Sequence, residues 1–352
     1  MENKLIRVGI SVGDLNGIGF EIIIKTFTDK DMLTLCTPIV YASSKTASFH
    51  KKAIGANDFN FNVVKDVSLI NTRSANLVNV WDEDVALDLG NETEVAGTYA
   101  LKSLMAACAD LKAGKIDVLV TAPLNKHNVK LEGKLFTGHT QFLHDYFEAP
   151  NHLMLLVGEH LKLATLTEHI PISKVSAAIT TNQIIDKVKL LHKTLITDFG
   201  ISKPKIAVLA LNPHNGDGGL IGDEEEKIIA PAIKKLQADG MLVYGSYPAD
   251  GFFGKLQFKQ FDATVSMYHD QGLAPFKTLE FDTGVNFTAG LSVVRTSPDH
   301  GVAYDIAGHG KADPSSFKHA VFMAIDIFRK RSEYAELTSN PLKITIQRKE
   351  RS

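Results

Sequence analysis

Short apolar runs alternate along this chain with amphipathic stretches of helical length, and the alternation persists from one end to the other. Residues 6–12 read as a buried strand that leads into a glycine-rich turn and a helix to about Thr26. From Pro38 to Gly90 strands and short helices alternate, and Trp81-Asp82-Glu83-Asp84 reads as a solvated turn with one anchored aromatic. Residues 94–114 predict a long helix whose alanine-rich face (Ala96, Ala106, Ala107, Ala109) suits close packing. Residues 116–120 are short and fully apolar, the pattern of a central parallel strand. Paired strands are expected at 152–157 and 161–167, then a helix that Ser173 caps and another over 182–199. Strands at 205–211, 242–247 and 263–267 surround a helix over 224–239. Ser315 and Ser316 are candidate caps of a closing helix to about Lys330, and the polar, basic tail from Glu333 reads as peripheral. Strand and helix alternating without internal repeats argue for α/β layers.

Composition narrows the class. A chain of 352 residues buries a large core and suggests two domains of ordinary size. With 44% hydrophobic and 22% charged residues it matches soluble globular proteins. A net charge of −2 gives no attraction to nucleic acid or anionic membrane. No apolar run approaches the roughly 20 residues of a membrane span, and the amino terminus lacks the pattern of a secretory signal. Cys36 and Cys108, in unlike contexts, suggest neither a disulfide framework nor a thiolate metal site. Cys108 falls in the alanine-rich helix as a small buried residue, and cytoplasm is the expected compartment.

The candidate chemistry sits at the ends of the apolar runs. His169, His214 and His269 each lie just past a run of strand length, as a site at the carboxyl edge of a sheet requires. One histidine in that setting is an ordinary strand cap; three point to a site. Neutral imidazoles suit a borderline metal such as zinc, and three of them leave a position open for substrate. Gly138-His139-Thr140 leads into an aromatic-rich helix, where fresh N–H groups suit a phosphate or carboxylate and where Thr140 serves equally as an ordinary cap. Residues 121–127 put a lysine and polar groups at another strand end, Asp250 follows the strand at 242–247, and residues 212–219 form a glycine-rich loop exposing His214. The turn Gly13-Asp14-Leu15-Asn16-Gly17-Ile18-Gly19 lacks the dinucleotide spacing, so tight-turn geometry and anion binding remain equal readings.

On Thr137-Gly-His-Thr140, Leu211-Asn-Pro-His214 and Tyr268-His-Asp-Gln-Gly272, the chain resembles the 4-hydroxythreonine-4-phosphate dehydrogenase family, from Gly13 to about Phe328. The resemblance implies a fold like that of isocitrate and isopropylmalate dehydrogenases: two α/β/α domains, 1–138 plus 290–352 and 139–289, with a cleft between them. It implies that His169, His214 and His269 bind a divalent metal, zinc foremost, with magnesium, manganese and cobalt as alternatives. His139, Thr140, Lys277, Asn286 and Arg295 match substrate-binding positions. It further implies homodimers with shared sites, His269 coming from one subunit and His169 with His214 from the other. Residues 300–314 are similar to the adenosine loop of isopropylmalate dehydrogenases, which makes His300, Gly301 and Asp305 cofactor residues. A carboxylate at Asp305 repels the extra phosphate of NADP, so NAD is expected. The first turn departs from the family pattern at Leu15, Asn16 and Phe20.

The implied activity is NAD-dependent oxidation of the C3 hydroxyl of 4-phosphooxy-L-threonine, followed by decarboxylation, in pyridoxal phosphate biosynthesis. Arg295 and Lys277 are the cations for the phosphate; Lys277 equally fits the proton-transfer role, and Asp270 fits an orienter of His269 better than a base. The nearest rival is a sister dehydrogenase of threonate or erythronate 4-phosphate. A phosphate acyltransferase of related fold needs no metal, and a non-catalytic binding protein needs no intact site.

Overall fold

The structure, a computed structural model, describes residues 5–131, 133–136 and 138–340. Its strands are β1 (Ile6–Ser11), β2 (Cys36–Ala42), β3 (Asn62–Val64), β4 (Asn76–Asn79), β5 (Val118–Thr121), β6 (Lys130–Leu131) and β7 (Lys134–Leu135). They continue as β8 (Leu153–Val157), β9 (Lys162–Thr165), β10 (Lys205–Leu209), β11 (Leu242–Tyr247), β12 (Ala263–Ser266), β13 (Val285–Ala289) and β14 (Arg295–Pro298). Apart from the small β6–β7 hairpin, they form one sheet of 12 strands in the order β11-β10-β12-β9-β8-β13-β14-β5-β1-β2-β4-β3. Every strand outside the β13–β14 pair on one side comes from residues 139–289, and every strand on the other side comes from residues 1–138. β13 runs antiparallel to both its neighbours, β8 and β14, whereas β14 returns to parallel pairing with β5.

Alternation along the central strands feeds apolar layers on both faces. Val8 and Ile10 of β1 join the cluster beneath the helix Ser315–Thr338, which also holds Phe317, Val321 and Ile325. Ile39, Tyr41 and Leu119 face the opposite layer, with Leu104, Cys108 and Leu111 of the helix Glu94–Lys112. Each such fully buried large side chain contributes roughly 1.5–3 kcal/mol, which is why the short apolar strands hold the middle of the sheet. The helix Ser315–Thr338 packs across β1, β5, β14 and β13 and so covers the junction of the two halves. Arg331 fastens it there: Nε and Nη2 donate to the two oxygens of buried Asp198 at 2.8 and 3.0 Å.

Several local expectations change. Ser173 caps nothing; it lies inside a short turn, Ile172–Lys174, and Thr180 caps the following helix, Thr181–Thr197, by accepting from Gln183 N. Ser315 and Ser316 are not caps either. Asp313 accepts from Ser315 N at 2.7 Å, while Ser316 Oγ bridges Asp299 N and Gly284 O. The closing helix runs on to Thr338, beyond the Lys330 end expected, and residues 341–352 of the tail lie outside the described residues. Ala109 is exposed rather than packed. Both cysteines are buried free thiols, each pushed up to about 12 by burial. Among the described residues no helix is long and apolar enough to cross a membrane.

The glycine-rich turn after β1 is a packing device. A Cβ at Gly13, where φ is +69°, would lie 2.1 Å from the Pro123 carbonyl. One at Gly17 would lie 2.2 Å from Val302 in the later loop. Three backbone segments meet here too closely for any side chain.

Candidate active site

The carboxyl ends of β5, β9 and β12, together with β13 and β14, surround a cavity of about 680 Å³. That volume is in the range that holds a small substrate. His139, Thr140, Lys277, Asn286 and Arg295 all line it, as do His169, His269, His300 and Gly301.

Its electrostatics favour an anion. Arg295 is 2% exposed, and among the described residues its guanidinium donates only to hydroxyls: Nε and Nη2 to Thr121 Oγ1 at 3.1 and 2.6 Å, and Nη1 to Thr288 Oγ1 at 3.1 Å. Burial without a carboxylate lowers its pKa to about 9. A buried cation left with neutral partners is costly until an anion arrives. Beside it the Nε2 of His139 and the Oδ1 of Asn286 are buried without partners. Burial, Arg295 and Lys126 together hold the His139 imidazole well below its usual pKa, so the ring is neutral. The helix His139–Tyr146 starts without any side-chain cap, and its first residues border the cavity. Thr140 is therefore a residue of the first turn rather than the cap itself. Thr137, first in its motif, lies outside the described residues.

The histidines separate into a pair and a single. The His169 and His269 rings lie 5.7 Å apart at the cavity wall. Burial lowers the pKa of His169, helped by Lys126 and His269, which keeps it in the neutral form a metal requires. His269 Nδ1 lies 2.6 Å from Asp270 Oδ1. A carboxylate only accepts, so the ring proton is on Nδ1 and the Nε2 lone pair is free for a cation. Asp270 itself is outside the cavity with its side chain 84% exposed. His214 stands apart, exposed in the turn Pro213–Gly218 after β10 at φ +51°. Among the described residues no three His, Cys, Asp or Glu side chains are placed to share one ion. On one chain His169 and His269 share the cavity, and His214 is not among the residues that line it.

The loop over residues 300–314 wraps the glycine-rich turn. His300 Nδ1 donates to the Gly301 carbonyl at 3.0 Å, which leaves its buried Nε2 without a partner. Asp305 is exposed in the turn Tyr304–Ile306 and does not line the cavity. Tyr304 donates to Asp14, and Ala312 N donates to buried Glu21 at 2.7 Å. Lys25 completes that anchor by donating to the carbonyls of Gly310 and Ala312.

A family model described as "Pyridoxal phosphate biosynthetic protein PdxA" matches residues 34–324. The chain belongs to the PdxA family. It is similar to the 4-hydroxythreonine-4-phosphate dehydrogenase of Bacteroides thetaiotaomicron, with 46% identity over 97% of this chain and 94% of the relative. The crystal structure of the Klebsiella pneumoniae 4-hydroxythreonine-4-phosphate dehydrogenase shares its fold at a TM-score of 0.77 and 33% identity, over 93% of this chain and 98% of that one. A more distant relative in Oceanobacillus iheyensis, provisionally named a D-threonate 4-phosphate dehydrogenase, is 36% identical over 91% of this chain and 97% of its own length.

In this PdxA-family chain the cavity also holds residues that sequence reasoning did not assign. Asp299 lies 3.7 Å from Lys277 Nζ, and burial raises its pKa. Glu168, His152 and Lys126 line the wall as well. Adjacency was the available signal: Glu168 precedes His169, Asp299 precedes His300, and Lys126 follows a strand end already marked as polar.

Proposed function

We propose that this chain oxidises 4-phosphooxy-L-threonine at its C3 hydroxyl, with NAD as hydride acceptor and a divalent metal as helper. The resulting β-keto acid loses carbon dioxide to give 3-amino-2-oxopropyl phosphate, a step toward pyridoxal phosphate. The observation that carries this reading is the buried Arg295, without a carboxylate partner, in the same cavity as the His169–His269 pair. The first fits a phosphate, and the second fits a metal-assisted alcohol oxidation.

His139, Thr140, Asn286 and Arg295 bind and orient the substrate, with the phosphate toward the guanidinium fork. His169 and His269 hold the metal, zinc foremost, and His214 of a second copy completes the set. When bound, the divalent ion lowers the pKa of the C3 hydroxyl and stabilises the charge that decarboxylation leaves. Asp270 fixes the proton of His269 on Nδ1. Lys277, held beside Asp299, is placed to move a proton or to neutralise the substrate. His300, Gly301 and Asp305 would hold NAD, with Asp305, out on the loop, accepting from the adenosine ribose.

The working unit in this reading is a cytoplasmic homodimer with composite sites. The turn that carries His214 is followed by Leu220 and Ile221, 82% and 42% exposed, which suits a contact with another copy. The proposed division between 1–138 plus 290–352 and 139–289 separates the strands at the β13–β14 pair, with the helix His139–Tyr146 packed through Phe142 and Leu143 into the same apolar cluster as Leu104 and Leu119 of the first part.

The test is NAD reduction with 4-phosphooxy-L-threonine, D-threonate 4-phosphate and D-erythronate 4-phosphate, each with and without zinc, magnesium, manganese or cobalt. The amino-acid phosphate should be turned over fastest, and only with metal. Preference for either hydroxy-acid phosphate would replace this reading with the sister dehydrogenase.

A further inference from the structure

A phosphate monoester carries about −1.5 to −2 charges near neutral pH, more than one guanidinium neutralises. Lys277 is drawn away from that task by Asp299, whose Oδ2 is 3.7 Å from its Nζ and whose carbonyl is 3.5 Å away. The cavity has another cation. Lys126 lies in the turn after β5, and its side chain runs back across Gly138 at the start of the helix His139–Tyr146. A Cβ on Gly138 would come within 2.9 Å of Lys126 Cε and 3.3 Å of Nζ, so the bare glycine (φ +117°) is what lets the chain lie there. The neighbouring residue fixes the turn: Asn125 donates to Glu92 Oε2 at 2.6 Å and to the Tyr304 hydroxyl at 3.3 Å, and accepts from His127 N.

The placement runs against simple electrostatics. The start of a helix is its positive end, which disfavours a lysine beside it, yet the exposed Lys126 extends along Gly138 instead of away into water. Here an ammonium lies against an uncapped helix start, beside the neutral ring of His139 and in the same cavity as buried Arg295. Positive groups gathered in this way fit a missing dianion. We propose that Lys126 reads the substrate's phosphate: its ammonium, the Arg295 guanidinium and the first N–H groups of the helix together hold a phosphate monoester dianion. The inference rests on the phosphate-substrate reading above and adds to it the residue that sets selectivity for phosphorylated over unphosphorylated substrate. Lys277 is thereby left with Asp299 for the reacting end of the molecule.

The experiment uses the full-length chain as wild type, Lys126→Met and Lys126→Arg. Inorganic phosphate is titrated into each by calorimetry, and initial rates are measured with 4-phosphooxy-L-threonine and with 4-hydroxy-L-threonine. Loss of one charge-assisted contact should weaken phosphate about 10- to 100-fold in Lys126→Met, with most of the affinity restored in Lys126→Arg. The ratio of kcat/KM for the phosphorylated over the unphosphorylated substrate should fall by a similar factor in Lys126→Met. Phosphate affinity within twofold of wild type, or an equal loss on both substrates, would overturn the assignment. A wild type that binds phosphate through Lys126 but does not oxidise 4-phosphooxy-L-threonine would refute the functional reading and leave the phosphate site standing.

Discussion

Tyr304 donates its hydroxyl to Asp14 Oδ2 across 2.9 Å, joining the loop proposed to hold the cofactor to the glycine-rich turn after β1. Asn128 Nδ2 donates to the same oxygen at 2.7 Å, and Asn16 N donates to the other at 2.9 Å, so the carboxylate is held from three directions. Burial and the nearby carboxylates raise the phenol's pKa, which keeps it a donor. Tyr304→Phe removes one tie of the loop. Stability should fall by about 1 kcal/mol and the KM for NAD should rise roughly 3- to 10-fold. Steady-state kinetics with varied NAD would show it, and an unchanged KM would mean that the loop is held without this bond.

His50 supplies a pH dependence far from the cavity. It is 2% exposed, its ring stacked 4.5 Å from that of Phe20, and burial depresses its pKa to about 4. Between that value and an unfolded pKa near 6.5 the unfolded chain binds the extra proton. Stability therefore rises with pH across this window, is fully present above about 6.5, and is lost as pH falls toward 4. The contribution is about 3 kcal/mol. Urea unfolding at several pH values should give His50→Leu and His50→Gln slopes flatter by about one proton than wild type, whatever their absolute stability. Parallel slopes in all three proteins would rule out His50 as the source.

Pairing of the histidines is open to complementation. With His169 and His269 on one chain and His214 from the other, His214→Ala and His269→Ala chains should each be inactive. Mixed by co-refolding, they should recover up to about a quarter of wild-type activity, because each heterodimer keeps one complete set. His169→Ala mixed with His269→Ala should recover nothing, since both sites then lose a ligand. Recovery in the second mixture would restore the division in which His269 opposes the other two.

Asp305 should set the cofactor. Asp305→Ser should narrow the preference for NAD over NADP, and Asp305→Lys should narrow it further or reverse it. Initial rates with both cofactors measure this, and a ratio unchanged in both variants would detach the loop from the ribose.

Much of this was readable in the residues because local and global demands agree. The apolar strands at the centre of the sheet and the polar groups at their carboxyl ends follow from short patterns, while His139, Thr140, Lys277, Asn286 and Arg295, which the family resemblance singled out, share one cavity. What escaped depends on neighbours distant in sequence. Ser316 looks like a cap but is bonded to Gly284 and Asp299, while Asp313 turns back to Ser315 and starts the helix. Asn16 departs from the expected turn pattern, yet its side chain bonds Asp88, Asn91 and Thr93, a segment 72 or more residues away. Spacing put His169, His214 and His269 in equivalent settings, but only His169 and His269 line the cavity, while His214 is exposed in a left-handed turn after β10.

The antiparallel pairing of β13 with β14 brings Asn286 on one strand and Arg295 on the other to the seam of the sheet. Only three residue pairs join the strands there: Val285 with Pro298, Asn286 with Ser297, and Phe287 with Thr296. A molecule touching Asn286 and Arg295 would thus rest on the seam of the sheet, where strands of opposite direction meet.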